Sequence, residues 1–223
     1  VENDKLIFGD CLKEMQKLKP NSIDAIITDP PYGTNYGKVK GDENTKTYQS
    51  AFPEMFRILK DKSFLLSYCY PLFVPQIIES ARSSGFIYRW IGFNYYPNMF
   101  KQKPQPLGYN RYDLFLMFSK GDAKKRGYIK DTIHILMDKK NYKNREGGHP
   151  HQKPEKCWEK LIKSTTNEGD VVFDPFMGTG GCLLVAKKMN RKFIGIEIDK
   201  EYFDIAKKRI ENAKEIQNLD KWM

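Results

Sequence analysis

Six consecutive residues, Ile23-Asp24-Ala25-Ile26-Ile27-Thr28, limit what this chain can fold into more than any other segment. The run is apolar with a single charge. That predicts a strand buried on both faces, and such strands lie in the middle of parallel sheets with helices packed above and below. It runs directly into Asp29-Pro30-Pro31-Tyr32. Two successive prolines hold φ near about −65° and remove two backbone donors, so the segment after the strand is stiff.

The rest of the chain alternates strand and helix. Strands are predicted over 5–8, 63–68, 87–95, 113–118, 170–173 and 192–196, and helices over 12–18, 51–59, 74–83, 154–165, 182–189 and 201–217. Residues 33–47 are polar and Gly/Lys-rich, 100–112 form a basic, Pro-rich loop, and 121–148 are the least regular and most basic part. The alternation predicts an α/β fold: a doubly wound, mostly parallel sheet of seven strands with a small basic insertion, in a single domain over 1–223. Sheets of this kind bind ligands at the carboxyl ends of their strands. Both unusual loops, 29–32 and 174–180, follow predicted strands, so both are expected on one edge of the sheet.

Charge narrows the class of partner. The chain carries a net charge of +10, and residues 101–160 hold 15 basic against 7 acidic residues, so most of the excess is local. A concentrated positive field suits a polyanion, although a solvated lysine-rich surface has the same composition. Cys11, Cys69, Cys157 and Cys182 show no Cys-x-x-Cys spacing and no zinc pattern with histidine, which predicts reduced thiols in a cytoplasmic protein. The opening Val1-Glu2-Asn3-Asp4-Lys5 is polar and not a signal peptide, its lack of Met suggests a trimmed start, and no apolar run reaches the roughly 18 residues of a membrane span.

Residues 170–199 read as a nucleotide-binding βαβ unit. A strand meets Asp174-Pro175-Phe176-Met177-Gly178-Thr179-Gly180, a helix follows, and a second strand ends at Glu197. Gly178 and Gly180 permit a tight turn and close backbone approach. Glu197 lies 23 residues beyond Asp174, near the spacing at which a carboxylate grips ribose hydroxyls. The run is neither Gly-x-Gly-x-x-Gly nor a P-loop, which disfavours a dinucleotide or a triphosphate. An acid before the glycines suits a cationic amine better than a pyrophosphate. The same residues also fit a purely structural strand-turn-helix with a packing glycine.

Phe173-Asp174-Pro175-Phe176-Met177-Gly178-Thr179-Gly180 resembles the S-adenosyl-L-methionine motif of DNA amino-methyltransferases. The resemblance covers roughly residues 5–215 and implies a Rossmann-like methyltransferase sheet. It implies cofactor contacts from Asp174, Pro175, Phe176, Gly178, Thr179 and Gly180, from Glu197 at the ribose, and from Asp10 and Cys11 near the adenine. His151-Gln152-Lys153-Pro154 resembles the segment that covers the methionine end, which adds His151 and Lys153 to that set, together with Asp29.

Asp29-Pro30-Pro31-Tyr32 then reads as a catalytic loop. An exocyclic base amine is a poor nucleophile because its lone pair is delocalised into the ring. Two acceptors aimed at its hydrogens localise that pair: the Asp29 carboxylate and the Pro30 carbonyl. Pro31 helps to hold the carbonyl still. Tyr32 offers a flat face for a base flipped out of the duplex. A sulfonium is already activated, so the reaction needs no metal and no covalent intermediate. As a bare motif, Asp and Pro also simply make turns.

The catalytic loop precedes the cofactor loop, which resembles the β class of these enzymes. There an Asp in the first motif position usually accompanies adenine N6 methylation and a Ser cytosine N4 methylation, so Asp29 implies adenine, with a cytosine-N4 enzyme of the same fold as the nearest alternative. RNA or protein-glutamine methylation is a further alternative, disfavoured by the loop order. A catalytically silent nucleic-acid-binding module is another, disfavoured because Asp29, Asp174 and Glu197 are all chemically competent. A short target-recognition segment is expected within 119–150. Double-stranded DNA contacts are expected from Lys101, Lys103, Arg111, Lys124, Lys125, Arg126, Lys139 and Lys140. So short a segment raises a homodimer as a way to complete base contacts, and a cognate restriction endonuclease is a further candidate partner. Tyr95, Tyr96 and Phe100 are candidates for a base pocket or for core, His149 and His151 make a weak metal pattern, and His134 reads as structural.

Overall fold

In a computed structural model, residues 4–33, 45–97, 112–123, 132–135 and 152–213 are described. Among these residues eight strands form one sheet: β1 (Lys5–Phe8), β2 (Ile23–Thr28), β3 (Leu59–Cys69), β4 (Ile87–Tyr95), β5 (Tyr112–Lys120), β6 (Thr132–His134), β7 (Val171–Asp174) and β8 (Lys192–Glu197). Their spatial order is β1-β8-β7-β2-β3-β5-β4-β6. Pairing is parallel throughout except where β5 runs antiparallel to both β3 and β4.

Six α-helices flank the sheet among the described residues. α1 (Cys11–Met15), α2 (Lys46–Ile58) and α3 (Val74–Ser83) cover one face, and α4 (Glu155–Thr165), α5 (Gly181–Lys188) and α6 (Lys200–Glu211) the other. Each strand divides its side chains between two cores. In β2, Ala25 and Ile27 point into the core under α4 to α6, and Ile26 points into the core under α1 to α3. In β7, Val172 and Phe173 split the same way. These strands are buried on both faces, as their largely apolar sequence requires.

The chain leaves β2 toward β3 on one side and leaves β7 toward β8 on the other. The order therefore reverses between β2 and β7, which are adjacent and parallel. That reversal opens a crevice at their carboxyl ends.

The sequence predicted seven strands. The eighth, β6, has three residues, too few for a period to show, and falls in the segment read as irregular. Ile133 is buried and His134 exposed, with the His134 ring edge-on to Tyr95 at 5.5 Å. Helix α2 starts earlier than its apolar pattern indicated, because Tyr48 extends the buried face of Ala51, Phe52 and Met55 behind polar neighbours. Strand β3 starts at Leu59 rather than 63, its first residues hidden by the charged Lys60-Asp61-Lys62. No helix among the described residues is long and apolar enough to cross a membrane.

Gly195 in β8 marks the tightest contact between sheet and cofactor-side loop. A Cβ there would lie 2.2 Å from Leu183 Cδ1 and 2.6 Å from Met177 Sδ, both buried. Gly195→Ala is expected to cost about 1–3 kcal/mol through overpacking. A thermal melt followed by circular dichroism should show a midpoint lower by several degrees, at roughly 2–4 °C per kcal/mol; an unchanged midpoint would mean that Met177 and Leu183 yield freely.

Candidate active site

Four acidic residues stand at or just beyond the carboxyl ends of neighbouring parallel strands: Asp10 after β1, Glu197 on β8, Asp174 on β7 and Asp29 after β2. A hydrogen bond joins the two central ones. Thr28 Oγ1 donates to Asp174 Oδ1 at 2.7 Å, with both residues buried. The residue before the 29–32 loop is thereby fixed to the residue that opens the 174–180 loop.

The 174–180 loop is shaped by its backbone. Phe176 N donates to Asp174 Oδ1 at 3.1 Å, Met177 N to Ile196 O at 3.0 Å, and Gly180 N to Met177 O at 2.8 Å. Gly178 has φ 53° with nothing within 4 Å of where a Cβ would stand, so it faces open space. Gly180 has φ 76° as it enters α5, and a Cβ there would meet Ala206 and Ile210 of α6 at 3.0 Å. One glycine thus serves approach from outside and the other serves packing. Arg209 of α6 donates to the Thr179 carbonyl at 2.5 Å, holding the loop from its other side.

The Glu197 carboxylate accepts from Gly178 N at 2.8 Å and Asp199 N at 2.7 Å, which ties the second acid-tipped strand to the first loop. Burial pushes its carboxyl up from the ordinary value despite these bonds. Asp10 caps α1, its side chain accepting from Leu12 N at 3.0 Å, and Gly9 N donates to the Glu197 carbonyl at 2.9 Å, so the two acids adjoin. The Cys11 side chain is buried in the core beside Met15, and burial pushes its thiol up to about 12.

Asp29 has partners on both oxygens. Tyr32 Oη donates to Oδ1 at 2.5 Å, and Lys153 Nζ forms an ion pair with Oδ2. Lys153 Nζ also donates to Tyr32 Oη at 2.9 Å and lies 4.2 Å from the centroid of the Tyr68 ring. Only 6% of the Lys153 side chain is exposed. Burial pulls its ammonium down, but Asp29 and Asp113 together outweigh burial and hold it above the ordinary value. Burial, reinforced by Asp29 and Asp113, pushes the Tyr32 hydroxyl well up.

Behind this triad lies a polar cluster that the sequence did not reveal. Asn94 Nδ2 donates to Tyr68 Oη at 2.5 Å, Tyr96 Oη donates to Asp113 Oδ2 at 2.8 Å, and Tyr96 Oη lies 3.6 Å from Cys157 Sγ. Asp113 was missed because β5 is antiparallel: its first residues lie at the edge where neighbouring strands end, with Asn94 opposite Asp113. Tyr68 ends a predicted strand, so the rule that drew attention to residue 29 also applied to it. Tyr96 is core, whereas Tyr95 is half-buried at the sheet edge. Pro30, Pro31, Tyr32, Tyr70 and Phe73 line a narrow crevice beside the loop.

His151, Phe100 and the predicted DNA contacts Lys101, Lys103, Arg111, Lys124, Lys125, Arg126, Lys139 and Lys140 lie outside the described residues. Of the 119–150 segment, the described parts belong to the end of β5 and to β6 with the residues beside them.

A doubly wound sheet with paired acid-tipped loops at its reversal point is the architecture of S-adenosylmethionine-dependent methyltransferases. Residues 23–208 match the model of the DNA methylase family that groups N6 and N4 methyltransferases, and the chain belongs to that family. Its methyl donor is S-adenosylmethionine. The chain is 33% identical to the type II methyltransferase M.HpaI of Haemophilus parainfluenzae over 93% of its own length and 74% of that protein. It is 29% identical to the DNA adenine methyltransferase YhdJ of Escherichia coli K12, over 93% and 83% of the two chains. Its fold superposes on the crystal structure of the M1.HpyAVI complex with SAM with a TM-score of 0.74, at 28% identity, covering 92% and 98% of the two chains.

Asp174 gives the site a pH signature. It is 2% exposed, and burial pushes its carboxyl from the ordinary 3.8 to about 7 in spite of the Thr28 bond. The folded state therefore holds a proton between those values that the unfolded state has lost, so this group's contribution to stability falls as pH rises through that window and is constant above it. The span is on the order of 1–4 kcal/mol. Denaturant unfolding of wild type and Asp174→Asn at pH 5 and pH 8 should show the variant gaining on the wild type at the higher pH. A difference independent of pH would disprove the assignment.

Proposed function

We propose that this chain transfers a methyl group from S-adenosylmethionine to the N6 amine of an adenine flipped out of double-stranded DNA, at a specific site and within the cytoplasm. The observation that carries the reading is the Thr28–Asp174 hydrogen bond, which holds an amine-accepting loop beside a cofactor loop at adjacent strand ends. The residues suit this methyl donor. Asp174 is a buried carboxylate suited to a cationic amine, Gly178 leaves room for close approach, and Glu197 and Asp10 adjoin where a ribose and an adenine amine would be held. Pro175, Phe176, Thr179 and Gly180 complete that loop. When bound, the donor supplies an activated methyl group on a sulfonium.

In this reading the Asp29 carboxylate and the Pro30 carbonyl accept the two amine hydrogens, localising the nitrogen lone pair toward the methyl group. Among the described residues each Asp29 oxygen accepts one bond, which leaves it a second lone pair for the amine. The Tyr32 ring, pinned through its hydroxyl, is the stacking face. Asp29 in the first motif position and the name of the YhdJ relative favour adenine. The basic residues of 101–160 are the proposed phosphate contacts, and 119–150 the recognition segment. A homodimer would enlarge that short segment, and a restriction endonuclease of the same specificity is the partner proposed on the similarity to type II methyltransferases.

Incubation with labelled S-adenosylmethionine and unmethylated DNA, followed by digestion to nucleosides, should place label in N6-methyladenine. Label only in N4-methylcytosine would refute the base assignment, and label in RNA but not DNA would refute the substrate. Asp29→Ala should lower methyl transfer by about a hundredfold or more, the scale expected for losing one preorganised electrostatic group.

A further inference from the structure

Lys153 invites a role other than the one its position in the chain implies. The segment 151–154 resembles a cover for the methionine end of the cofactor, yet the Lys153 side chain reaches across the sheet edge to the 29–32 loop. It is a buried cation that among the described residues hydrogen-bonds to Asp29 and Tyr32 Oη, and it is seated over the Tyr68 ring. Cations are rarely buried unless paired, so this one is fixed by the groups it touches.

We propose that Lys153 is a positioning residue for Asp29, fixing the carboxylate in the orientation and the charged state in which it accepts the amine hydrogen. This rests on the reading of Asp29 as the amine acceptor. Geometry supports it. An unconstrained aspartate rotates about χ1 and χ2, whereas here Lys153 holds Oδ2, Tyr32 holds Oδ1, and Lys153 binds Tyr32 as well, closing a triangle. Such closure restrains rotation of the carboxylate about both angles. Charge supports it too. Among the described residues the titratable groups around Asp29 are Tyr32 in its own loop, Tyr68 from β3, Asp113 from β5, Asp174 from β7, and Lys153 and Cys157 from the α4 side. Among the described residues Lys153 is the cation of that set, and Asp29 and Asp113 both act on it, so it offsets negative charge at the site. A protonated Asp29 presents a donor on one oxygen and loses its strength as an acceptor.

The test separates positioning from cofactor binding. In Lys153→Met, kcat for DNA methylation at saturating S-adenosylmethionine should fall by about a hundredfold. The acid limb of the kcat–pH profile should move up by about one pH unit or more, as expected on removing an adjacent opposite charge. Calorimetric affinity for S-adenosylhomocysteine should change less than about threefold, well under the tenfold that corresponds to 1.4 kcal/mol. Lys153→Arg keeps the charge and should leave the acid limb in place while recovering part of the rate. Lys153→Gln, neutral but still a donor, should show the same limb shift if the Met variant folds poorly. Loss of S-adenosylhomocysteine affinity with kcat preserved at saturation would make Lys153 a cofactor ligand and overturn the proposal, as would a reduced kcat with an unmoved acid limb in both neutral variants. If Asp29→Ala itself retains activity, the underlying reading fails. If Asp29→Ala is inactive and Lys153→Met is not, only the present proposal fails.

Discussion

The hydrogen bond from Thr28 to Asp174 is the interaction on which the rest of the site depends. It spans β2 and β7, the two strands between which the winding of the sheet reverses. A doubly wound sheet always opens a crevice at that point, but a crevice alone sets no distance between the groups on its two walls. Here the last residue of one strand grips the last residue of the other, in a place where neither is exposed to water. A buried hydroxyl and a buried carboxyl left unpaired would each be costly, so the bond is kept. The loops that follow inherit their spacing from it.

Around that bond the protein concentrates carboxylates and then restrains them. Asp10, Glu197, Asp174, Asp29 and Asp113 all lie along one edge of the sheet. Glu197 is satisfied by two backbone amides, Asp10 by a helix start, Asp29 by a lysine and a tyrosine, and Asp113 by a tyrosine. Asp174 is shifted toward protonation, to about 7, because burial dominates over the bonds it receives. That is the environment in which a cationic ligand gains most, since pairing removes a cost that water cannot. The cation in Lys153 plays the matching part on the catalytic side, held above its ordinary titration range by Asp29 and Asp113.

Much of this was legible beforehand. Residues 23–28 and 171–174 are strands covered on both faces because a run this apolar has no side to turn to water. Asp29 to Tyr32 and Asp174 to Gly180 lie on one edge because parallel strands all end there. The sequence did not reveal the group behind the loop. Asn94, Tyr68, Asp113 and Cys157 come from three strands and a helix, and no local spacing links them. Asp113 belongs to the site because β5 runs against its neighbours, and strand direction is a property of topology. The segment of Lys153 resembles a cofactor cover, and its reach to Asp29 depends on how the helix that follows packs over β2 and β3.

What the sequence by itself determined, then, is the sheet, the two loops and the chemistry their side chains can perform, because periodicity, proline stiffness and glycine freedom act over a few residues. What only the tertiary structure decided is which strands became neighbours, and therefore which charges face one another. That depends on long-range packing of two cores against one sheet. It placed a lysine from residue 153 on an aspartate at residue 29, an ion pair that neither segment encodes alone.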